Sequence, residues 1–266
     1  MELAFEKYEG LGNDFVVCRV DGEDALSREQ AIALCDRHFG LGADGVLLVS
    51  PASSPNARAR MTVLNADGSR PEMCGNGLRC VALYLTRHDG VNEASFDVET
   101  DAGLRHCEVL VDGARGQVTT GLGRGRDEGA TSAELGGEGF AFTRISMGNP
   151  HAICFREPIS TKDLDVLGPL VSGGFPEGSN VEIATVVKPD EIRVDVWERG
   201  VGRTLACGTG AAATAVAAVR AGHSPARTPL TVHLPGGPLR ITVADDWDVT
   251  LEGPARWVFN GTTQVD

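Results

Sequence analysis

Two cysteines stand in near-identical settings half a chain apart, and they limit this sequence to a fold built twice. Cys74 lies in Met73-Cys74-Gly75-Asn76-Gly77, ahead of a helical pattern that runs to about His88. Cys207 lies in Ala206-Cys207-Gly208-Thr209-Gly210, ahead of a second helical pattern that runs to Ala221. Each thiol is therefore expected at a helix N-terminus, in a glycine-rich turn. There the first backbone N–H groups lack intrahelical acceptors, and the positive end of the helix dipole favours an anion. A thiol so placed is expected to ionise below its ordinary value and to serve as a base or nucleophile. Two such thiols on matching half-chains suggest one site with a sulfur on each face of a substrate.

The rest of the chain alternates in the same way on both sides. Residues 3–8 and 15–20 read as strands around Gly10-Leu11-Gly12-Asn13-Asp14, and Ser27 can cap a helix to about His38. Strand-like runs follow at 46–50, 60–65, 95–100, 103–111 and 117–120. The second half repeats the plan, with strands at 140–147, 152–156, 181–187 and 191–197 and a helix at 161–170. Short strands at 230–234, 239–244, 248–251 and 257–259 follow the Cys207 helix. Between the halves, residues 121–139 hold seven glycines and almost no large apolar residue, which reads as a linker or mobile connection. The second helix carries Ala211, Ala212, Ala213, Ala215, Ala217, Ala218 and Ala221. Small side chains let surrounding strands approach closely, and alanine favours the helix. Each half is therefore expected to be a curved, mostly antiparallel sheet around a central helix, an α+β arrangement.

Composition removes several classes of function. A formal charge of −13 disfavours a nucleic-acid partner, which needs a basic face. No apolar run reaches about 18 residues, so no membrane span is expected. Seven cysteines, irregularly spaced, do not resemble a secreted disulfide framework, and a cytoplasmic, reduced protein is expected. Gly40-Leu41-Gly42-Ala43-Asp44-Gly45 matches the dinucleotide fingerprint literally, but a helix precedes it and a strand follows, the reverse of what that motif needs. A helix-to-strand turn is the better reading. Pyridoxal phosphate needs a Schiff-base lysine, and none of Lys7, Lys162 and Lys188 sits in a glycine-rich phosphate cradle. No cofactor is expected. Cys74 and Cys80 do not have zinc-ligand spacing, and Cys18, Cys35, Cys80, Cys107 and Cys154 read as buried thiols, so no metal is expected.

Polar residues gather in short loops beside glycine or proline: Asn13, Asn65, Asn149, His151 and Asn180. Taken singly, each asparagine reads as a turn residue. Glu198-Arg199 reads alone as a solvated strand end; alternatively Arg199 clamps a carboxylate and Glu198 holds an ammonium.

Together these motifs resemble diaminopimelate epimerase. They are Gly10-Leu11-Gly12-Asn13-Asp14-Phe15, Asn65-Ala66-Asp67-Gly68-Ser69, Cys74-Gly75-Asn76-Gly77-x-Arg79, Met147-Gly148-Asn149-Pro150-His151 and Glu198-Arg199-Gly200-x-Gly202-x-Thr204-x-Ala206-Cys207-Gly208-Thr209-Gly210. Five motifs in the family's order cover nearly the whole chain. The resemblance implies a pyridoxal-independent epimerase that interconverts LL- and meso-diaminopimelate on the route to lysine and peptidoglycan. It implies that Cys74 and Cys207 are the acid/base pair. It implies that Asn13, Asn65, Asn149, Asn180, Glu198 and Arg199 bind a small amino-acid substrate, and that N–H groups around Gly75, Asn76, Gly208 and Thr209 hold the reacting carboxylate. His151 is expected beside the reacting centre. The implied fold has two similar domains with the site in the cleft, residues 1–118 joined by a returning segment 255–266, and residues 119–254. Homodimers are usual. Departures are small: Arg203 replaces a common acid, Arg70-Pro71-Glu72 is not the commonest run, and Gly45 stands where some members carry a substrate-binding glutamine. Two rival readings remain: a related racemase acting on proline, hydroxyproline or histidine, and a dithiol redox protein using Cys74 and Cys207.

Overall fold

The computed structural model describes residues 2–265, which divide into two compact units. The first holds the residues up to Thr120 and those from Gly253 onward; the second holds Gly121–Glu252. Unit 1 opens with β1 (Glu2–Gly10) and β2 (Asn13–Arg19), an antiparallel hairpin. Its two turn residues, Leu11 and Gly12, both have positive φ, at 56° and 83°. Such a turn matches the right-handed twist of the flanking strands and sets Asn13 at the head of β2. Helix α1 (Arg28–Cys35) then crosses to β3 (Gly45–Ser50), parallel to β2. Ser27 caps α1 as the sequence predicts, and the structure adds a reciprocal box with Gln30. Residues 40–45 make the turn into β3. β4 (Ala57–Asn65) returns antiparallel, α2 (Gly75–His88) crosses to the parallel β5 (Glu93–Thr100), and β6 (Gly103–Asp112) and β7 (Arg115–Arg124) complete the meander.

Unit 2 repeats this grammar. After β8 (Arg126–Leu135) come β9 (Glu138–Ser146) and β10 (Pro150–Phe155), then α3 (Thr161–Ser172) crossing to the parallel β11 (Asn180–Lys188). β12 (Glu191–Glu198) returns, with the short β13 (Gly202–Arg203) beside it. α4 (Gly208–Arg220) crosses to the parallel β14 (Leu230–Leu234), followed by β15 (Gly237–Val243) and β16 (Asp248–Gln264). The start of β16 pairs with β15; its residues from Arg256 on pair with β1. In unit 2 the strand that flanks β9 in the matching place is β8.

Each central helix touches six strands of its own sheet: α2 meets β1 to β6, and α4 meets β9, β10, β11, β12, β14 and β15. A sheet reaches six strands from one helix only by curling around it. Every residue from Gly75 to Thr86 is buried, as are those from Gly210 to Ala218. A helix covered on all sides needs no polar face. α1 packs against β3 and β4, which α2 also meets, and α3 against β8, β13 and the β11 and β12 that α4 also meets.

Two expectations are corrected. Residues 121–139 are not a linker: they include strand β8, joined to β9 by Gly136-Gly137, whose φ values of 62° and 82° make a two-residue hairpin turn. Among the described residues β8 pairs only with β9 and is largely exposed, so it needs few large apolar residues; Ala133 and Leu135 pack against the core beneath. The two short strands expected at 248–251 and 257–259 are one strand, with Pro254 between the stretch paired to β15 and that paired to β1. No helix among the described residues is long and apolar enough to cross a membrane, and no three His, Cys, Asp or Glu side chains among them are placed to hold a metal ion.

One carboxylate on β5 ties the loop after β3 to the sheet. Glu99 accepts from the N–H groups of Ser54 and Ser53 at 2.9 and 2.8 Å, and from the Ser53 hydroxyl and Arg60 guanidinium at 2.7 and 2.8 Å. These donors hold its carboxyl down to about 2 from an ordinary 4.5. A carboxyl depressed by folding stabilises the protein above its unfolded value, and that contribution is lost as pH falls through the folded value. Acid unfolding of Glu99→Gln, followed by circular dichroism, should therefore lose less stability than the parent between pH 4.5 and about 2.

Candidate active site

Both sulfurs occupy the same structural position. Cys74 is the N-cap of α2, with extended backbone angles of −135° and 111°, and its Sγ accepts from the Gly77 N–H at 3.4 Å. Cys207 is the N-cap of α4, at −119° and 105°, and its Sγ accepts from the Gly210 N–H at 3.4 Å. A thiolate is thereby aimed at first-turn donors, as serine or aspartate is in an ordinary cap. The second glycine of each turn is required by space. A Cβ at Gly77 would lie 2.9 Å from Leu47 Cδ2, and one at Gly210 would lie 2.6 Å from Glu182 Oε1 and 3.2 Å from Cys207 Sγ.

In unit 1 the candidate residues meet at one end of the sheet. Asn13 heads β2, Asn65 ends β4, and between them β3 begins at Gly45, which pairs with Asn65 on one side and Phe15 on the other. Asn76 Nδ2 donates to Asn13 Oδ1 at 3.0 Å, and Asn13 Nδ2 donates to Asp44 Oδ2 at 2.7 Å. Arg79 closes the chain: Nη2 donates to Asn76 Oδ1 at 2.9 Å, Nη1 to Gly75 O at 3.3 Å and Nε to Pro254 O at 3.1 Å. The amides of Asn13 and Asn76 are thus oriented by a cation at one end and a carboxylate at the other. Asn65 Nδ2 donates to Ser69 Oγ at 2.9 Å and holds its own turn, while Gly75 is the first residue of α2.

Unit 2 builds the counterpart. His151 on β10 pairs with Asn180 on β11, and Glu198 ends β12. His151 Nδ1 lies 2.6 Å from Glu182 Oε1, and Nε2 lies 3.1 Å from Asn149 Oδ1. Asn149 Nδ2 donates to Thr209 Oγ1 at 3.3 Å, and that hydroxyl lies 3.6 Å from Cys207 Sγ. A continuous polar chain therefore runs from Glu182 to the sulfur. Asn180 Oδ1 accepts from the Arg199 N–H at 3.0 Å and its Nδ2 donates to Pro150 O at 3.2 Å. The Thr204 hydroxyl donates to Glu198, and the exposed Arg199 guanidinium donates to Glu177 O. Burial raises the Glu198 carboxyl above its ordinary value, against the hydrogen bonds of Thr204 and Cys207. Gly208 and Thr209 are the first two residues of α4.

The expected low ionisation of both thiols is corrected for Cys207. Burial pushes this thiol well up, and the charges of Glu198 and Glu182 push it further, against the Thr209 hydroxyl and the Gly210 N–H. A helix end contributes about 0.3–1 kcal/mol to an exposed anion. Full burial alone shifts a group by up to about 3–5 units, so desolvation wins. Asp44, Arg79 and Glu182 stand at the site although none of them is among the residues expected there. The signal was present for the last two: each is a charge inside an apolar run, Leu78-Arg79-Cys80 and Val181-Glu182-Ile183. Both are fully buried, at 0 % exposure.

In fold, the chain is similar to a solved hydroxyproline epimerase from Agrobacterium vitis with bound trans-4-hydroxy-L-proline. The match has a TM-score of 0.77 at 16% identity and covers 98% of this chain and 91% of that one. The class is that of epimerase-like folds with paired α+β units. The family model for diaminopimelate epimerase matches residues 5–124 and 143–258. A diaminopimelate epimerase of Synechococcus elongatus is 43% identical over 281 residues, covering 100% of this chain and 99% of that protein. One of Desulforudis audaxviator is 44% identical over 277 residues, covering 97% and 98%. The chain belongs to the diaminopimelate epimerase family and is an isomerase.

Proposed function

We propose that the chain interconverts LL- and meso-2,6-diaminopimelate without a cofactor, using Cys74 and Cys207 as its two acid/base groups. The observation that carries this reading is the twice-built cap: each sulfur accepts from the third N–H of a buried helix at 3.4 Å. Inverting a carbon needs a base on one face and an acid on the other. One thiolate takes the α-proton, the C–H electron pair passes into the carboxylate-conjugated carbanion, and the opposite thiol returns a proton. The reading requires both half-sites to act on the same carbon.

The carbanion is the costly species. First-turn N–H groups at Gly75 and Asn76, and at Gly208 and Thr209, are the donors that would hold the α-carboxylate where charge builds up. One preorganised donor of this kind is worth about 3 kcal/mol in a dry site. Asn13, Asn65, Asn149, Asn180, Glu198 and Arg199 bind the substrate's remaining ammonium and carboxylate groups. His151 orients Asn149 and, through Thr209, the Cys207 end. Such a product feeds lysine and peptidoglycan synthesis. A cytoplasmic homodimer is expected, which cell fractionation and light scattering would read.

The test is proton exchange by the reduced protein in D2O. Mass spectrometry should find deuterium at the α-carbon of diaminopimelate, with chiral chromatography showing both isomers. No exchange into diaminopimelate, with exchange into proline, hydroxyproline or histidine, would move the activity to that racemase. No exchange into any of them, with a reversible Cys74–Cys207 disulfide, would favour redox chemistry.

A further inference from the structure

The two half-sites match in backbone and differ in charge. On β2 and β3, Phe15 pairs with Gly45 and Val17 with Leu47; on β10 and β11, His151 pairs with Asn180 and Ile153 with Glu182. Phe15 and Leu47 in unit 1 therefore stand where His151 and Glu182 stand in unit 2. The glycines of the helix caps report the same equivalence independently, since Gly77 is pressed by Leu47 and Gly210 by Glu182. On the helices, Arg79 follows Cys74 at the step where Ala212 follows Cys207. One thiol thus has a buried cation in its helix and apolar residues beneath. The other has alanine in its helix and a buried acid beneath.

The two charges differ in their partners: Glu182 lies 2.6 Å from the equally buried His151, which is a counter-charge when protonated. Among the described residues Arg79 bonds only to neutral oxygens, and no carboxylate lies within ion-pair distance of it. Glu9 and Asp14 extend their fields to this helix end. They are engaged elsewhere: Glu9 with Arg256 at 2.9 Å, and Asp14 with Lys7 at 2.5 Å and Arg37 at 2.6 Å. Asp44 is paired with Arg37 at 2.8 Å. Around Cys207 the charged and titratable groups are Glu182 on β11, Glu198 on β12 and His151 on β10. Glu182 has one oxygen 2.6 Å from His151, and its buried Oε2 has no hydrogen-bond partner among the described residues. A buried charge acts strongly on its neighbours because little solvent screens it.

We propose that Arg79 and Glu182 are positioning residues that give the two thiols opposite resting states, Cys74 the thiolate and Cys207 the thiol. The inference rests on the two-thiol reading above. The free protein is then set to take an α-proton with the Cys74 sulfur and to deliver the proton held by Cys207. After that turnover Cys74 is the thiol and Cys207 the thiolate. The reverse reaction starts from this second state, which the charges of Glu182 and Glu198 disfavour. Proton return from Cys74 to Cys207, through solvent, restores the resting protein.

Carbon-13 Cβ-labelled cysteine in the reduced full chain tests this, with Cys74→Ala and Cys207→Ala assigning the two signals. Titrated by NMR, Cys74 should ionise at a pH at least about one unit below Cys207. Arg79→Met should move the Cys74 midpoint to a pH at least about one unit higher, a tenfold lower proton concentration, and leave Cys207 in place. Arg79→Lys should restore part of that shift, which a purely structural role for the guanidinium would not do. Glu182→Gln should lower the Cys207 midpoint and leave Cys74 in place. Coincident midpoints, a lower midpoint at Cys207, or folded variants that move neither midpoint would overturn the proposal. If Arg79→Met does not fold, Arg79→Lys and Glu182→Gln decide by the same criteria. The titration uses no substrate. Failed exchange would therefore remove the epimerase reading without touching the order of the thiols, and coincident midpoints would do the converse.

Discussion

Cys74→Ala and Cys207→Ala should each lower kcat/KM for diaminopimelate epimerisation by about 10²–10⁴-fold, the usual worth of a positioned acid or base. Each removes the sulfur that caps its helix. The fold should survive. A cap residue changed to alanine costs about 0.5–2 kcal/mol, and a 3.4 Å bond to sulfur belongs at the low end. The double variant should be little worse than either single one, because groups that act as a unit do not add. Initial rates by chiral chromatography check this, with urea unfolding as the control for stability. Full epimerisation by either single variant would end the two-thiol mechanism.

Leu83→Ala should destabilise the protein by about 2–5 kcal/mol, the range for emptying a packed leucine site. Leu83 is fully buried in the middle of α2, and a Cβ at Gly116 on β7 would come within 2.6 Å of its Cδ1. Val216 stands at the same step after Cys207 and presses on Gly125 in the same manner, 2.9 Å from a Cβ built there. Neither sheet has room to collapse into the space left behind. Urea unfolding should show a lower midpoint for Leu83→Ala. Leu110→Ala, on a side chain 58% exposed, should stay within about 0.5 kcal/mol of the parent. Equal effects at both positions would mean that α2 is not the core of its unit.

The elements that local rules govern were legible. Ser27 as a helix cap, the cysteines with their glycines, and Leu11-Gly12 between two strands all act within a few residues of themselves. The stretch 121–139 was not, because its apolar content is low for a reason outside it. Among the described residues β8 pairs with β9 alone and its surface is largely exposed, and Gly125 is small because Val216 presses on it. The continuity of β16 was hidden for a similar reason, since its two halves pair with strands from opposite ends of the sequence.

Candidate site residues were legible where glycine or proline marked a sharp turn, as at Asn13, Asn149 and both cysteines. Asp44, Arg79 and Glu182 lay within motifs or strands that looked structural. Their roles come from burial and from which neutral or charged atoms surround them. The amino-acid order by itself determined two thiols, each at the start of a helix, on two copies of one plan. A cap is a local arrangement of a few residues and their backbone N–H groups, so it survives in any tertiary setting. Only the tertiary structure decided that one cap rests beside a buried guanidinium held by neutral oxygens and the other over a buried carboxylate. Electrostatic fields depend on distance and screening through space, and strand pairing brings Glu182 to the Cys207 cap and Leu47 to the Cys74 cap from far along the chain.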